Sequence, residues 1–153
     1  TGYHAKVINS GRYVNDSMGF YIGKQTVKKI LNQGTNIMDS RVLLMGATFK
    51  ENVSDIRNAK VVDIIRELES FSVNVEVVDP HASSDALQKE YGFSLVNEPT
   101  GIYDAIIVAV NHQEYAAYTE DQFKEHSPEG KGLLVDVKGI FRNTIKEMEY
   151  WSL

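Results

Sequence analysis

Short apolar runs recur along this chain at residues 42–45, 73–78, 105–110 and 133–137, and stretches of helical periodicity separate them. The runs are nearly continuous in Val, Ile and Leu, which is the pattern of strands buried on both faces. Such strands need helices above and below, and a parallel partner is reached only through a crossover, usually helical. Residues 58–71 supply the first such helix, with Val61, Val62, Ile64, Ile65 and Leu68 on its apolar face. Residues 84–91 and 119–126 read as further helices, 93–96 as a minor strand, and 133–137 as the last strand. The fold class expected is α/β, a Rossmann-like three-layer parallel sheet. Ligands gather beyond the carboxyl ends of the strands in such sheets, so the loops after Met45, Val78, Val110 and Val137 form the expected functional edge.

A long helix should precede the sheet, running from Arg12 to Gln33, with Gly34 where a C-terminal cap belongs. Val14, Met18, Tyr21 and Ile22 make one apolar face, and Phe20, Val27, Ile30 and Leu31 extend round a second, so the helix is expected to touch two bodies. Gly19 and Gly23 lie four apart, and each costs a helix about 1 kcal/mol relative to alanine. Either another helix backbone comes close over them, or the helix is imperfect or kinked. The organisation expected is a linking segment over residues 1–34 and a binding domain over 41–153.

Composition narrows the chemistry. The 153 residues contain no cysteine, which removes disulfides, thiolate metal sites and thiol nucleophiles. A net charge of -5 argues against a general nucleic-acid binder, which needs clustered cations. No apolar run approaches the roughly 20 residues that cross a bilayer, and a soluble, cytoplasmic protein is expected. His4, His81, His112 and His126 lack metal-ligand spacing, so no metal is expected.

The segment 46–57 is too long for a simple turn between strand and helix. It carries Gly46 at the strand exit, Phe49 beside Lys50, and Arg57 at the start of the next helix. A nucleotide would pack on Phe49, meet a point charge at Lys50 and a forked donor at Arg57. The competing reading makes Phe49 a core plug and pairs Lys50 and Arg57 with Glu51 and Asp55. No G-x-G-x-x-G string is present, so the segment is not a self-evident primary NAD site. Asp79 either bonds a ribose or, with Pro80, stops a strand. His112 either meets a ligand or caps a turn, and Lys138 leaves the 133–137 run beside Gly139.

The string from Gly46 through Asn58, with Gly2-Tyr3-His4, Gly11-Arg12 and Val14-Asn15-Asp16-Ser17-Met18-Gly19 ahead of it, resembles the UDP-glucose/GDP-mannose dehydrogenase family. Val77-Val78-Asp79-Pro80, Tyr103-Asp104-Ala105 and Val135-Asp136-Val137-Lys138-Gly139 follow in the family's order. The likeness is greatest to the branch acting on UDP-N-acetylhexosamines in capsule and O-antigen synthesis. That resemblance implies a C-terminal portion of an NAD-dependent UDP-sugar 6-dehydrogenase: a UDP-binding domain and part of a central dimer-forming helix. It implies that Phe49, Lys50 and Lys138 contact the UDP-sugar, that Arg57 reaches toward NAD, and that NAD is bound mainly by an N-terminal domain. The family's catalytic cysteine would fall upstream, so no catalytic residue is expected in this chain and the isolated chain should be inactive. A homodimer through the helix from Arg12 to Gln33 is also implied. The alternative is a standalone doubly wound binding or signalling module.

Overall fold

The structure, a computed structural model, describes residues 17–129 and 131–153. Five parallel strands form one sheet: β1 (Arg41–Met45), β2 (Asn74–Val78), β3 (Ala105–Val108), β4 (Leu133–Asp136) and β5 (Glu149–Ser152), in the order β2-β1-β3-β4-β5. Among the described residues five α-helices accompany it: α1 (Met18–Asn32), α2 (Val61–Ser70), α3 (Ser84–Tyr91), α4 (Gln113–Ala116) and α5 (Glu120–Glu125). From β1 the chain winds to one side for β2 and then crosses to the other for β3, so the winding reverses at β1.

Successive strand residues point to opposite faces, and both faces are covered. Val42, Leu44, Val77, Ala105, Ile107, Leu133 and Val135 enter one core with the buried sides of α1, α2 and Leu87 of α3. Leu43, Met45, Val78, Ile106, Val108 and Leu134 enter the other, with Tyr115 of α4, Phe123 of α5 and the chain around Phe141 and Met148. This is the three-layer parallel architecture that the apolar runs call for.

Three local expectations change. The run at 133–137 is not the last strand, because β5 follows and lies parallel to β4 at the sheet edge. Its Glu-Tyr-Trp-Ser sequence hides it, since an edge strand has one neighbour and tolerates polar residues. Residues 93–96 form no strand. Val96 donates one backbone hydrogen bond to Val77 at 2.9 Å, but no ladder extends from it. The helix expected over 58–71 starts only at Val61, because Asn58 sits in the left-handed region at φ 55°. The short α4 had no distinct sequence signal. α5 matches the expected helix, with Thr119 and Gln122 forming a reciprocal capping box.

Of the helix expected from Arg12 to Gln33, residues 12–16 lie outside the described residues. The described part begins at Met18 and ends at Asn32, and Gly34 follows in the left-handed conformation, φ 83°. Gly19, Ile22, Gly23, Thr26, Val27 and Ile30 form a single buried stripe. The two-faced grouping is therefore corrected: Ile22 shares a face with Val27 and Ile30, while Phe20, Tyr21 and Leu31 stay exposed. The glycines answer to a close helix crossing. A Cβ on Gly19 would stand 2.7 Å from Asp63 Cβ and 2.8 Å from the Lys60 carbonyl, and one on Gly23 would stand 2.8 Å from Glu67 Cβ. Bare backbone is what lets α1 seat against α2.

Candidate functional site

At the carboxyl edge of the sheet, the loop after β1 is held by groups from the ends of β2 and β3. Gly46 has φ 107°, and any Cβ there would meet Val110 at 2.6 Å, so only glycine allows this strand exit. Ala47 then donates its backbone N–H to Asp79 Oδ2 at 2.6 Å. The other Asp79 oxygen accepts from the backbone of His81 at 2.7 Å and Ala82 at 2.8 Å. His112, fully buried, brings Nε2 to 2.9 Å from Asp79 Oδ2. Its Nδ1 accepts from the Asn52 backbone at 2.9 Å. An accepting Nδ1 leaves the proton of a neutral ring on Nε2, which donates to Asp79. The Asn52 side chain accepts from Gln113 N–H at 2.9 Å, and Phe49 N–H donates to the Asp55 carbonyl at 2.6 Å. The loop is thus tied at Ala47, Phe49 and Asn52.

A second buried carboxylate shapes the turn after β4. Asp136 accepts from Gly139 N–H at 3.0 Å, Phe141 N–H at 2.7 Å and the Tyr150 hydroxyl at 2.6 Å. Burial and the neighbouring Asp136 carboxylate push the Tyr150 phenol up to about 12. Gly139 turns with φ 73°, and Lys138 is left exposed between strand and turn.

Phe49 and Lys138 line one hollow of about 280 Å³, together with Met18, Thr48, Lys60 and Leu153. Phe49 is 55% exposed and is therefore not a core plug. Lys50 is exposed on the same loop but does not line this hollow, and its ammonium makes no ion pair among the described residues. Arg57 lies apart, on a groove with Asn58, Arg66, Glu90 and Tyr91. Its fork closes on Asp55, Nε to Oδ1 at 3.0 Å and a terminal nitrogen to Oδ2 at 2.8 Å. That bidentate bond is the chief reason the Asp55 carboxyl is held down at about 2. A larger cavity of about 780 Å³ sits at the opposite edge of the sheet, where Lys124 pairs with Glu147.

Asp79 proves to be a loop anchor as well as a strand stop, because both of its oxygens are engaged by protein groups. His112 opens α4 but is a buried bridge and not a side-chain cap. Sequence reading did not find Asp136, Tyr150 or Lys60. An acidic residue ending an apolar strand was the one available signal, for Asp136. Among the described residues, no group of three or more His, Asp or Glu is placed to hold a metal. No helix there is long and apolar enough to cross a membrane.

Residues 43–143 match the family described as UDP-glucose/GDP-mannose dehydrogenase family, UDP binding domain. The chain is similar to a UDP-N-acetyl-D-glucosamine 6-dehydrogenase from Pseudomonas aeruginosa, 49% identical over 115 residues, 74% of this chain and 27% of that protein. A UDP-N-acetyl-D-glucosamine 6-dehydrogenase from Salmonella typhi is 38% identical over 140 residues, 91% of this chain and 33% of the relative. Among solved structures, the UDP-N-acetyl-mannosamine dehydrogenase Cap5O from S. aureus shares the fold with a TM-score of 0.74 at 23% identity, covering 97% of this chain and 34% of that one. The chain therefore spans about a third of the length of the relatives it matches.

Proposed function

Because the chain belongs to the UDP-glucose/GDP-mannose dehydrogenase family, we propose that it holds the UDP end of a UDP-N-acetylhexosamine within a longer NAD-dependent 6-dehydrogenase. The observation that carries this reading is the hollow at the carboxyl edge of the sheet, where an aromatic ring, Phe49, and a cation, Lys138, come together. An aromatic face suits a base or ribose, and an ammonium suits a diphosphate. Lys50, exposed on the loop carrying Phe49, adds a second cation within the same reading.

The contribution to the reaction is positional. Gripping the nucleotide end fixes the distant hexose C6 where oxidation takes place, and such fixing contributes several kcal/mol, up to about 7 to 11 in favourable cases. The sequence carries no G-x-G-x-x-G string for a dinucleotide of its own. Arg57, assigned to NAD by resemblance, is closed on Asp55, and the strand exit at Gly46 lacks a glycine-rich fingerprint. In this reading NAD and the reacting cysteine belong to the remainder of the enzyme, and the chain alone is inactive. In the same reading, residues 1–34 are the end of its linking and dimerisation region and 41–153 the UDP-binding domain. The exposed Phe20, Tyr21 and Leu31 of α1 support homodimer formation along that helix, and a monomeric mass by light scattering would count against it.

Titration of UDP into nitrogen-15-labelled protein tests the central claim. Amide shifts are expected at Thr48, Phe49, Val110 and Lys138. A titration that leaves those four unmoved overturns the reading.

A further inference from the structure

Besides the Phe49–Asp55 backbone bond, the three-residue tip of the loop after β1, Phe49-Lys50-Glu51, is flanked by a tie on each side, and one of these two comes from a residue that lines no part of the hollow. Thr48, on the near side, is buried, and its hydroxyl donates to the Lys50 carbonyl at 2.8 Å. That leaves its lone pairs facing His112 Nε2 at 3.3 Å. Asn52, on the far side, has φ 61°, a left-handed conformation that must be held in place. What holds it is the Asn52 N–H bond to His112 Nδ1, with the Gln113 N–H bond to the Asn52 side chain beside it. His112 itself cannot swing, because Asp79 fixes its other nitrogen and the Tyr115 and His81 rings lie against it, 5.7 and 4.6 Å between centroids.

We propose that His112 is a positioning residue: its buried imidazole, fixed by Asp79, clamps the Asn52 backbone and so presents the Phe49-Lys50-Glu51 tip in one conformation to the nucleotide. The inference rests on the UDP-binding reading. A tip already ordered by the clamp loses little freedom on binding, whereas an untied tip must be ordered by the ligand, which weakens affinity without removing any ligand contact.

Two substitutions separate the two ring nitrogens. Asn in place of His112 sets an amide oxygen near the Nδ1 position and keeps the acceptor for Asn52, but it does not reach Asp79. Gln reaches toward Asp79 with its terminal amide and leaves Asn52 without an acceptor. The wild type, His112→Asn and His112→Gln are compared by hydrogen exchange at the Asn52 and Phe49 amides without ligand, then by UDP titration. In His112→Gln those amides should exchange faster, and UDP affinity should fall about tenfold, the weight of one hydrogen bond. His112→Asn should keep affinity within about threefold of wild type, even if both variants lose the same thermal stability. Equal affinity in all three proteins, or equal loss in both variants, overturns the proposal.

Absence of UDP binding by the wild type sinks the functional reading alone, because the exchange comparison still decides whether the clamp exists. If His112→Gln does not fold, the wild type supplies the answer. Its long-range proton–nitrogen spectrum should show Nδ1 unprotonated and the proton on Nε2, and a protonated Nδ1 overturns the clamp.

Discussion

Replacing Gly19 by alanine should destabilise the protein even though alanine is the better helix former. In an open helix the change gains about 1 kcal/mol. Here the new methyl would lie 2.7 Å from Asp63 Cβ on α2 and 2.8 Å from the carbonyl oxygen of Lys60, the residue that caps α2. Carbon atoms in ordinary contact sit about 3.5 to 4.0 Å apart, so α1 and α2 would have to separate by roughly 1 Å. Overpacking of this kind costs about 1 to 3 kcal/mol. A backbone oxygen cannot rotate aside, which places Gly19→Ala in the upper half of that range. The net loss is then about 1 to 2 kcal/mol, or roughly 2 to 8 °C in Tm for a domain of this size. Urea and thermal unfolding followed by circular dichroism measure it. Gly23→Ala should cost less, because the nearest backbone oxygen, that of Ile64, stands 3.3 Å away. The double variant should cost less than the sum, since both methyls push the same pair of helices apart. A Gly19→Ala protein as stable as the wild type, or more stable, would refute the close-crossing argument.

Lys50→Ala should weaken UDP binding by about 1.5 to 3 kcal/mol if its ammonium meets phosphate, roughly tenfold to over a hundredfold, and unchanged affinity by calorimetry removes Lys50 from the site. Asp136→Asn turns an acceptor of three hydrogen bonds partly into a donor, so it should cost about 1.5 to 3 kcal/mol in urea unfolding and also loosen the Lys138 turn. Asp55 has a folded pKa depressed to about 2, chiefly by the Arg57 fork, so its contribution to stability is present above the unfolded carboxyl range and is lost as pH falls toward 2. A carboxyl carbon NMR titration should place Asp55 back near the ordinary range in Arg57→Ala; no change would mean that Arg57 does not hold it.

The layered fold was legible because it rests on local signals. The runs at 42–45 and 105–110 are apolar for a reason that operates on each strand separately, and the Thr119 capping box is written in four consecutive residues. The spacing of Gly19 and Gly23 left a close helix crossing as one of two readings, the other being a kink, and named no neighbour. The site was less legible, because its framework is non-local. Asp79 reaches Ala47 across 32 positions and His112 reaches Asn52 across 60, and neither pairing leaves a periodic trace. Arg57 shows the same limit: whether its fork faces Asp55 or a ligand depends on a loop conformation that composition does not encode. β5 was missed because its partner, β4, supplies all of its ladder and nearly all of the apolar content of the pair.

The chain's one tryptophan, Trp151 of β5, lies with its ring centroid 6.1 Å from that of Tyr21 on α1. An indole half-buried at that junction gives the molecule a built-in optical probe. Its emission should move to longer wavelength when α1 lifts away and water reaches the ring, while a change confined to the Phe49 loop should leave it unaltered. Detachment of the helix can therefore be followed in real time without any label.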